Sequence, residues 1–415
     1  MQAREQIEVM APVGSWESLA AAIQAKADAI YFGIEQLNMR ARSSNNFTTE
    51  DLKEIVKRCQ KNNIKTYLTI NTILYDHDLN LMKSIMRTAK EAGVSAAIIM
   101  DQAAIQYARE VGLPVHISTQ LNITNIETVK FYAMFSDVMV LARELTLAQV
   151  KRITETIDKE NITGPSGDKV RIEVFVHGAL CMAVSGKCYM SLSTHNSSAN
   201  RGACKQNCRR EYTIKDNEGH ELRVENDYIM SPKDLCTIEF LDQLLDAGVS
   251  VLKIEGRSKG PEYVKETVSC YKEAVEAVYD GSFSPQKAQE WVARLDNVYN
   301  RGFWDGYFLG KKLGEWAKSG TEGSISKRKK RFLGVGVKHF GKIGIGEFLI
   351  NQGEINLGDE VMVTGPTTGV EEFVVTSLQV ERNNVEKVER GTPFSMPVDF
   401  KLRPSDKLFK MITEE

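Results

Sequence analysis

Four of the chain's seven cysteines fall in one stretch, Cys181, Cys188, Cys204 and Cys208, spaced C-x6-C-x15-C-x3-C. The residues between them are rich in Gly, Ser, Asn, Arg and Lys, so a loop carries the thiols. Thiolates on a loop suit a soft metal centre, because folding need only gather a few side chains. Four of them without a histidine substitute fit either a structural zinc or a [4Fe-4S] cluster. Zinc ribbons usually bring two CxxC knuckles, and here the one short pair is the CxxxC of Cys204 and Cys208. The uneven spacing favours the cluster. The CxxxCxxC run of radical enzymes that bind S-adenosylmethionine is absent. A cube held by four thiolates has no open iron, so its chemistry is electron transfer or structural support. Cys236 stands in reserve as a ligand in place of Cys208, while Cys59 and Cys270 lie in helical patterns and read as core.

The elements that must position this loop are short apolar runs alternating with helical patterns. Strand runs fall at residues 7–10, 29–32, 65–70, 96–100, 114–118, 137–141, 171–176 and 249–254. Between them, 49–62, 80–92, 125–135, 146–156 and 233–247 carry apolar residues at three- and four-residue spacing. Eight mostly apolar strands, each followed by a helix, predict a closed (β/α)8 barrel of the TIM type. The connection after the seventh strand is far longer than an ordinary strand-to-helix loop. It holds the four cysteines, within a loop at 178–232. Residues 284–309 read as helical, ending in the aromatic string YNRGFWDGYFLG. The barrel is thus expected over 1–310 and a linker with the basic run 327–331 over 311–331. Alternating β-rich sequence with Gly- and Pro-marked turns predicts a small all-β barrel over 332–415.

Chemistry in such a barrel sits at the strand C-termini. Those positions are Gly14, Ser15, Gly33, Asn71, Asp101, Thr119, Gln120, Arg143, Glu144, His177, Glu255 and Arg257. They describe a polar pocket with two arginines, suited to an anionic small molecule or a phosphate. Arg201, Lys205, Arg209 and Arg210 near the cysteines form a basic rim that could face RNA. A net charge of -2 argues against a nucleic-acid coat without excluding such a local face. No apolar run approaches the roughly 20 residues of a membrane span, and the N-terminus lacks the apolar core of a signal peptide. A cytoplasmic location follows, where clustered cysteines bind metals or do redox chemistry more often than they form disulfides.

At VHGALCMAVSGKCYMS the sequence resembles the signature of the collagenase-like peptidase family, peptidase family U-32. The resemblance extends through NMRARSSNNF, VHISTQLNITN, VLARELTL, RGACKQNCR, SPKDLC, LKIEGRSKGPEYV and YNRGFWDGYFLG. Within the family the likeness is nearest to the prephenate-dependent tRNA hydroxylation type. That likeness implies 5-hydroxyuridine formation at the wobble uridine, with tRNA and a paralogue of the same family as partners. It implies a [4Fe-4S] cluster on Cys181, Cys188, Cys204 and Cys208, and prephenate as a co-substrate. Arg143, Arg257 and the pair Arg40 and Arg42 are then candidates to hold prephenate or the RNA backbone. Glu255 and His177 are candidates to move protons. The C-terminal domain and the basic rim would grip the tRNA. Another RNA-base hydroxylase of the family is one alternative, and the family's peptidase name is the other, with Cys181 or Cys188 as nucleophile and His177 as base. Neither HExxH nor GxSxG occurs in the chain.

Overall fold

In the computed structural model, which describes residues 2–41, 46–210, 212–223, 230–310, 315, 317 and 323–413, eight parallel strands close on themselves. They are Glu8–Pro12, Ala29–Phe32, Lys65–Ile70, Ala96–Ile99, Val115–Ile117, Val138–Val140, Arg171–Ala179 and Val251–Ile254. Each pairs with the next, and the eighth closes the ring, with Val251 opposite both Glu8 and Glu173. Their side chains are buried almost without exception, as strands covered on one face by helices and on the other by the barrel interior must be. Local signals set the helix ends. Thr146 caps Leu147–Glu160 in a reciprocal pair with Gln149, and Gly93, at φ 81°, ends Leu79–Ala92 in the left-handed conformation.

The barrel interior mixes apolar side chains such as Met10, Ile98 and Val251 with a buried polar layer. Glu173 and Lys253 form an ion pair of 2.7 Å with side chains 0% and 5% exposed. Lys253 also lies over the Tyr31 ring at 4.7 Å. Glu8 accepts from Tyr67 Oη at 2.8 Å and Arg171 Nη1 at 2.8 Å, and it also pairs with Lys65. Burial works against the Glu8 charge, yet Arg171 and Lys65 hold its carboxyl down at about 2. Burial brings both His116 and His177 down to about 3, so each is neutral in the fold.

These shifts set the response to acid. Below the ordinary histidine value of 6.5 the unfolded chain takes protons that the buried imidazoles refuse. Stability is therefore expected to fall as pH drops from there toward 3, by up to about 1.4 kcal/mol per pH unit for each ring. Glu8 stabilises above its ordinary value of 4.5, and that share is lost as pH falls toward 2. Urea midpoints across this range check the slope, and His177→Phe should flatten it. A midpoint independent of pH between neutrality and about pH 4 would contradict the assignment.

Two segments depart from the local pattern. Residues 233–247 have helical spacing, but Asp234–Cys236 is a strand antiparallel to the end of the seventh, with Cys236 opposite His177. Distant partners override the local preference. Arg301 Nη1 holds Asp234 Oδ1 at 3.1 Å, and the Asp234 N–H donates to the Gly302 carbonyl at 2.9 Å. The helix begins only at Leu241. The helix expected over 284–309 spans Pro285–Leu295, and Phe303–Trp304 instead extends the sheet beside Asp234–Cys236.

The C-terminal part is an eight-stranded antiparallel sheet around its own core of Leu333, Phe348, Val363, Phe394 and Leu408. Its first strand, Arg328–Phe340, takes up most of the basic run 327–331, and Arg328 lies opposite Thr413. Of the expected linker, residues 311–314, 316 and 318–322 lie outside the described residues. The sheet docks on the outer helices of the barrel. Gln24 bridges to the Thr368 carbonyl at 3.0 Å and the Val370 N–H at 2.9 Å, and Lys265 donates to the Val370 carbonyl at 2.7 Å. No helix among the described residues is long and apolar enough to cross a membrane.

Candidate functional site at the barrel mouth

The eighth strand delivers Glu255 and Arg257 into the mouth, and the first must come very close to allow it. A Cβ on Gly14 would stand 1.9 Å from the Arg257 carbonyl oxygen, so only glycine fits. Arg257 donates to Thr69 Oγ1 at 2.9 Å, and burial lowers it to about 10. Arg40 pairs with Glu255 at 2.9 Å. Burial opposes the Glu255 charge, but Arg40, with Lys259 and Arg143 beyond it, holds the carboxyl at about 2. Arg143 stacks on Phe175 at 3.8 Å and donates to the Ala179 carbonyl at 2.9 Å. Arg40, Arg143, Arg257 and Glu255 thus share one mouth, with a surplus of positive charge. Arg42 lies outside the described residues.

The cysteine loop closes over this mouth. Burial pushes the Cys208 thiol up, Arg209 pulls it back, and the nearby Cys181, Cys204 and Cys188 add to the rise. Each of the other three thiols is thus close enough to Cys208 to act on it electrostatically. The four do not stand at ligating separation, and no group of three or more His, Cys, Asp or Glu among the described residues does. Three of them have a guanidinium nearby: Arg40 by Cys204, Arg143 by Cys181 and Arg209 by Cys208. The Gln206 N–H points at Cys204 Sγ from 3.4 Å.

Other expected members are placed elsewhere. His177 is 1% exposed, and its ring packs at 5.4 to 5.9 Å from Phe303, Tyr271 and Tyr263, behind the seventh strand. Neutral and sealed, it is not set to carry protons in the mouth. Cys236 is buried on that same side, and its thiol is pushed up to about 12 by burial. It is not among the thiols around Cys208. Of the basic rim, Arg201 is spent on Asp78 and the Ile73 carbonyl, and Arg209 on Ser231 and the Leu180 carbonyl. Lys205 and Arg210 remain exposed. Asp101 and Ser15 cap helices.

One residue of the mouth was missed from sequence. Lys259, two positions after Arg257, sits on the Tyr299 ring with its ammonium 3.0 Å from the centroid. Burial, and then the Arg301 charge, bring it down to about 7. Its place just past the eighth strand was the available signal.

A closed (β/α)8 barrel with a polar, cation-rich mouth and a thiol-bearing loop after the seventh strand defines the class of protein. The chain belongs to peptidase family U32, whose model matches residues 14–318. It is 56% identical to a protein named collagenase from Porphyromonas gingivalis, over 98% of each chain. It is 32% identical to tRNA hydroxylation protein P1 of Bacillus subtilis, over 76% of this chain and 75% of that one. A solved structure described as a U32 peptidase aligns with 56% of this chain and 86% of its own, at 12% identity and a TM-score of 0.33. The named relatives are thus of two kinds, peptidase-named and RNA-hydroxylating.

Proposed function

We propose that the chain is an RNA-modifying enzyme that installs a hydroxyl on C5 of the wobble uridine of tRNA in the cytoplasm, its loop thiols holding a [4Fe-4S] cluster. The observation that carries this reading is the gathering of four thiols from one loop at the barrel mouth, with guanidinium groups beside three of them. That donor set would suit a thiolate-bound cluster once the loop draws the thiols to ligating separation, because the arginines offset the negative charge of four cysteinates. Cys181, Cys188, Cys204 and Cys208 would hold it, and when bound it would relay the two electrons that converting a C–H bond to C–OH removes from the base. C5 of a pyrimidine is weakly reactive, so its hydroxylation needs redox chemistry or an activated oxygen donor.

The chain's own groups then have definite tasks. Arg257, Arg143 and Arg40 would bind an anionic co-substrate such as prephenate, or an RNA phosphate. Glu255, held ionised near neutral pH, would accept a hydrogen bond rather than deliver a proton. A partner paralogue of the same family would complete the assembly.

A second reading, a collagenase-type peptidase, is favoured by the relatives' names. The collagenase-named relative shares 56% identity, against 32% for the tRNA hydroxylation protein. In that reading Cys181, exposed and beside Arg143, would be the nucleophile. The base it would need, His177, is sealed among three rings, and the site chemistry therefore favours RNA modification. The test uses anaerobically purified, reconstituted protein for collagen and gelatin cleavage, alongside nucleoside analysis of tRNA from a deletion strain. Loss of 5-hydroxyuridine without proteolysis supports the first reading. Collagen cleavage that is lost in Cys181→Ser, with tRNA unchanged, establishes the second.

A further inference from the structure

We propose that a second pocket, between the end of the cysteine loop and the segment from Tyr299 onward, takes a phosphate group on Arg209, Arg301 and Gln206. The pocket stands on its own walls; the source of the phosphate, the tRNA backbone, rests on the RNA reading above. The cavity measures about 180 Å³, and Gln206, Arg209, Ser231, Tyr299, Arg301 and Ile325 line it. Arg40, Arg143 and Arg257 are not among its walls, so it is separate from the anion site at the mouth. Arg209 directly follows Cys208, so a phosphate held here lies close to the loop thiols.

Both arginines are fixed by neighbours that leave some of their nitrogens free. Arg209 donates through Nη1 to Ser231 Oγ at 2.8 Å and through Nη2 to the Leu180 carbonyl at 2.7 Å. Arg301 donates through Nη1 to Asp234 at 3.1 Å, and both side chains are largely buried. Arg209 Nε, with Arg301 Nε and Nη2, has no hydrogen-bond partner among the described residues. None of these three nitrogens is sealed from solvent, unlike Arg143 Nε. Gln206 is exposed and adds an amide donor.

The charge around the pocket is unbalanced. Lys259, set against the Tyr299 ring, is brought down to about 7 by burial and then by Arg301, and Arg209 adds to that push. Asp234 and Glu255 pull the other way, yet each is already paired, with Arg301 and Arg40. A bound anion meets the surplus. A carboxylate is flat, and one guanidinium fork satisfies both its oxygens. Donors from three side chains on two separate segments suit instead a tetrahedral phosphate, whose oxygens point several ways.

The experiment titrates the full chain with inorganic phosphate at fixed ionic strength and follows phosphorus NMR line broadening. The unaltered chain is expected to bind it. Gln206→Glu, a change at an exposed position, should weaken binding at least about tenfold by setting a like charge against the anion. Gln60→Glu makes the same change at an exposed position on the helix Asp51–Lys61 and should bind as the unaltered chain does. No binding, binding unchanged by Gln206→Glu, or equal weakening by Gln60→Glu overturns the pocket. Competition then reads the source. A uridine dinucleotide should displace phosphate, and its uncharged methylphosphonate analogue should not. Phosphate that binds but is not displaced by the dinucleotide leaves the pocket standing as a site for free phosphate and overturns the RNA source.

Discussion

Anaerobically reconstituted protein carrying Cys208→Ser should lose the broad visible absorbance of the cluster and most of its iron and sulfide, while Cys236→Ser keeps both. The contrast follows from where the two thiols lie. Cys208 is close enough to Cys181, Cys188 and Cys204 for each of them to act on its thiol. Cys236 is buried behind the seventh strand, where its thiol is packed in the core. Its thiol faces the Ile238 N–H and the Tyr271 hydroxyl, so a serine hydroxyl there keeps partners and is expected to cost only about 1 kcal/mol. Iron and sulfide counts per chain, read with the unfolding midpoint, separate the two effects. Iron retained in Cys208→Ser and lost in Cys236→Ser would reverse the ligand assignment. Zinc with no colour in the unaltered chain would make the site structural.

The second large effect is on stability. Glu173→Ala is expected to destabilise the barrel by about 3–5 kcal/mol, because it leaves a buried ammonium unpaired. Lys253 has no route to water: its side chain is 5% exposed, and its surroundings are the rings of Tyr31 and Phe175. Replacing both members, Glu173→Met with Lys253→Met, should recover much of the loss, since two apolar groups of similar length satisfy the interior without a charge. Chemical denaturation of the two singles and the double closes the cycle. If the double is no better than Glu173→Ala, the pair is not the source of the cost.

The barrel was legible in the sequence because strands buried on both faces must be apolar runs, and all eight runs became barrel strands. The cysteine loop was legible because its length broke the strand–helix rhythm. What escaped depended on distant pairing. Asp234–Cys236 has local helical spacing, but its partners are His177–Ala179 and Phe303–Trp304. His177 escaped for a subtler reason. Alternation along the seventh strand puts it on the same face as Phe175, in the mouth. The register instead shifts between Lys253 and Ile254, so that these two face Phe175 and His177 and skip Val176. That irregularity reverses the alternation and turns the imidazole against the helix Pro261–Tyr279. Arg201 and Arg209 read as a rim for RNA because nothing local shows that Asp78 and Ser231 will claim them.

The proposed role of the four thiols at the barrel mouth is the hydroxylation of tRNA. Its most direct test is the amount of 5-hydroxyuridine, quantified by mass spectrometry, in tRNA from a strain that lacks this protein and keeps its partner paralogue. Complementation with the unaltered chain should restore the nucleoside, and complementation with Cys208→Ser at equal protein level should not. Equal restoration by both, or none by either, would contradict the account.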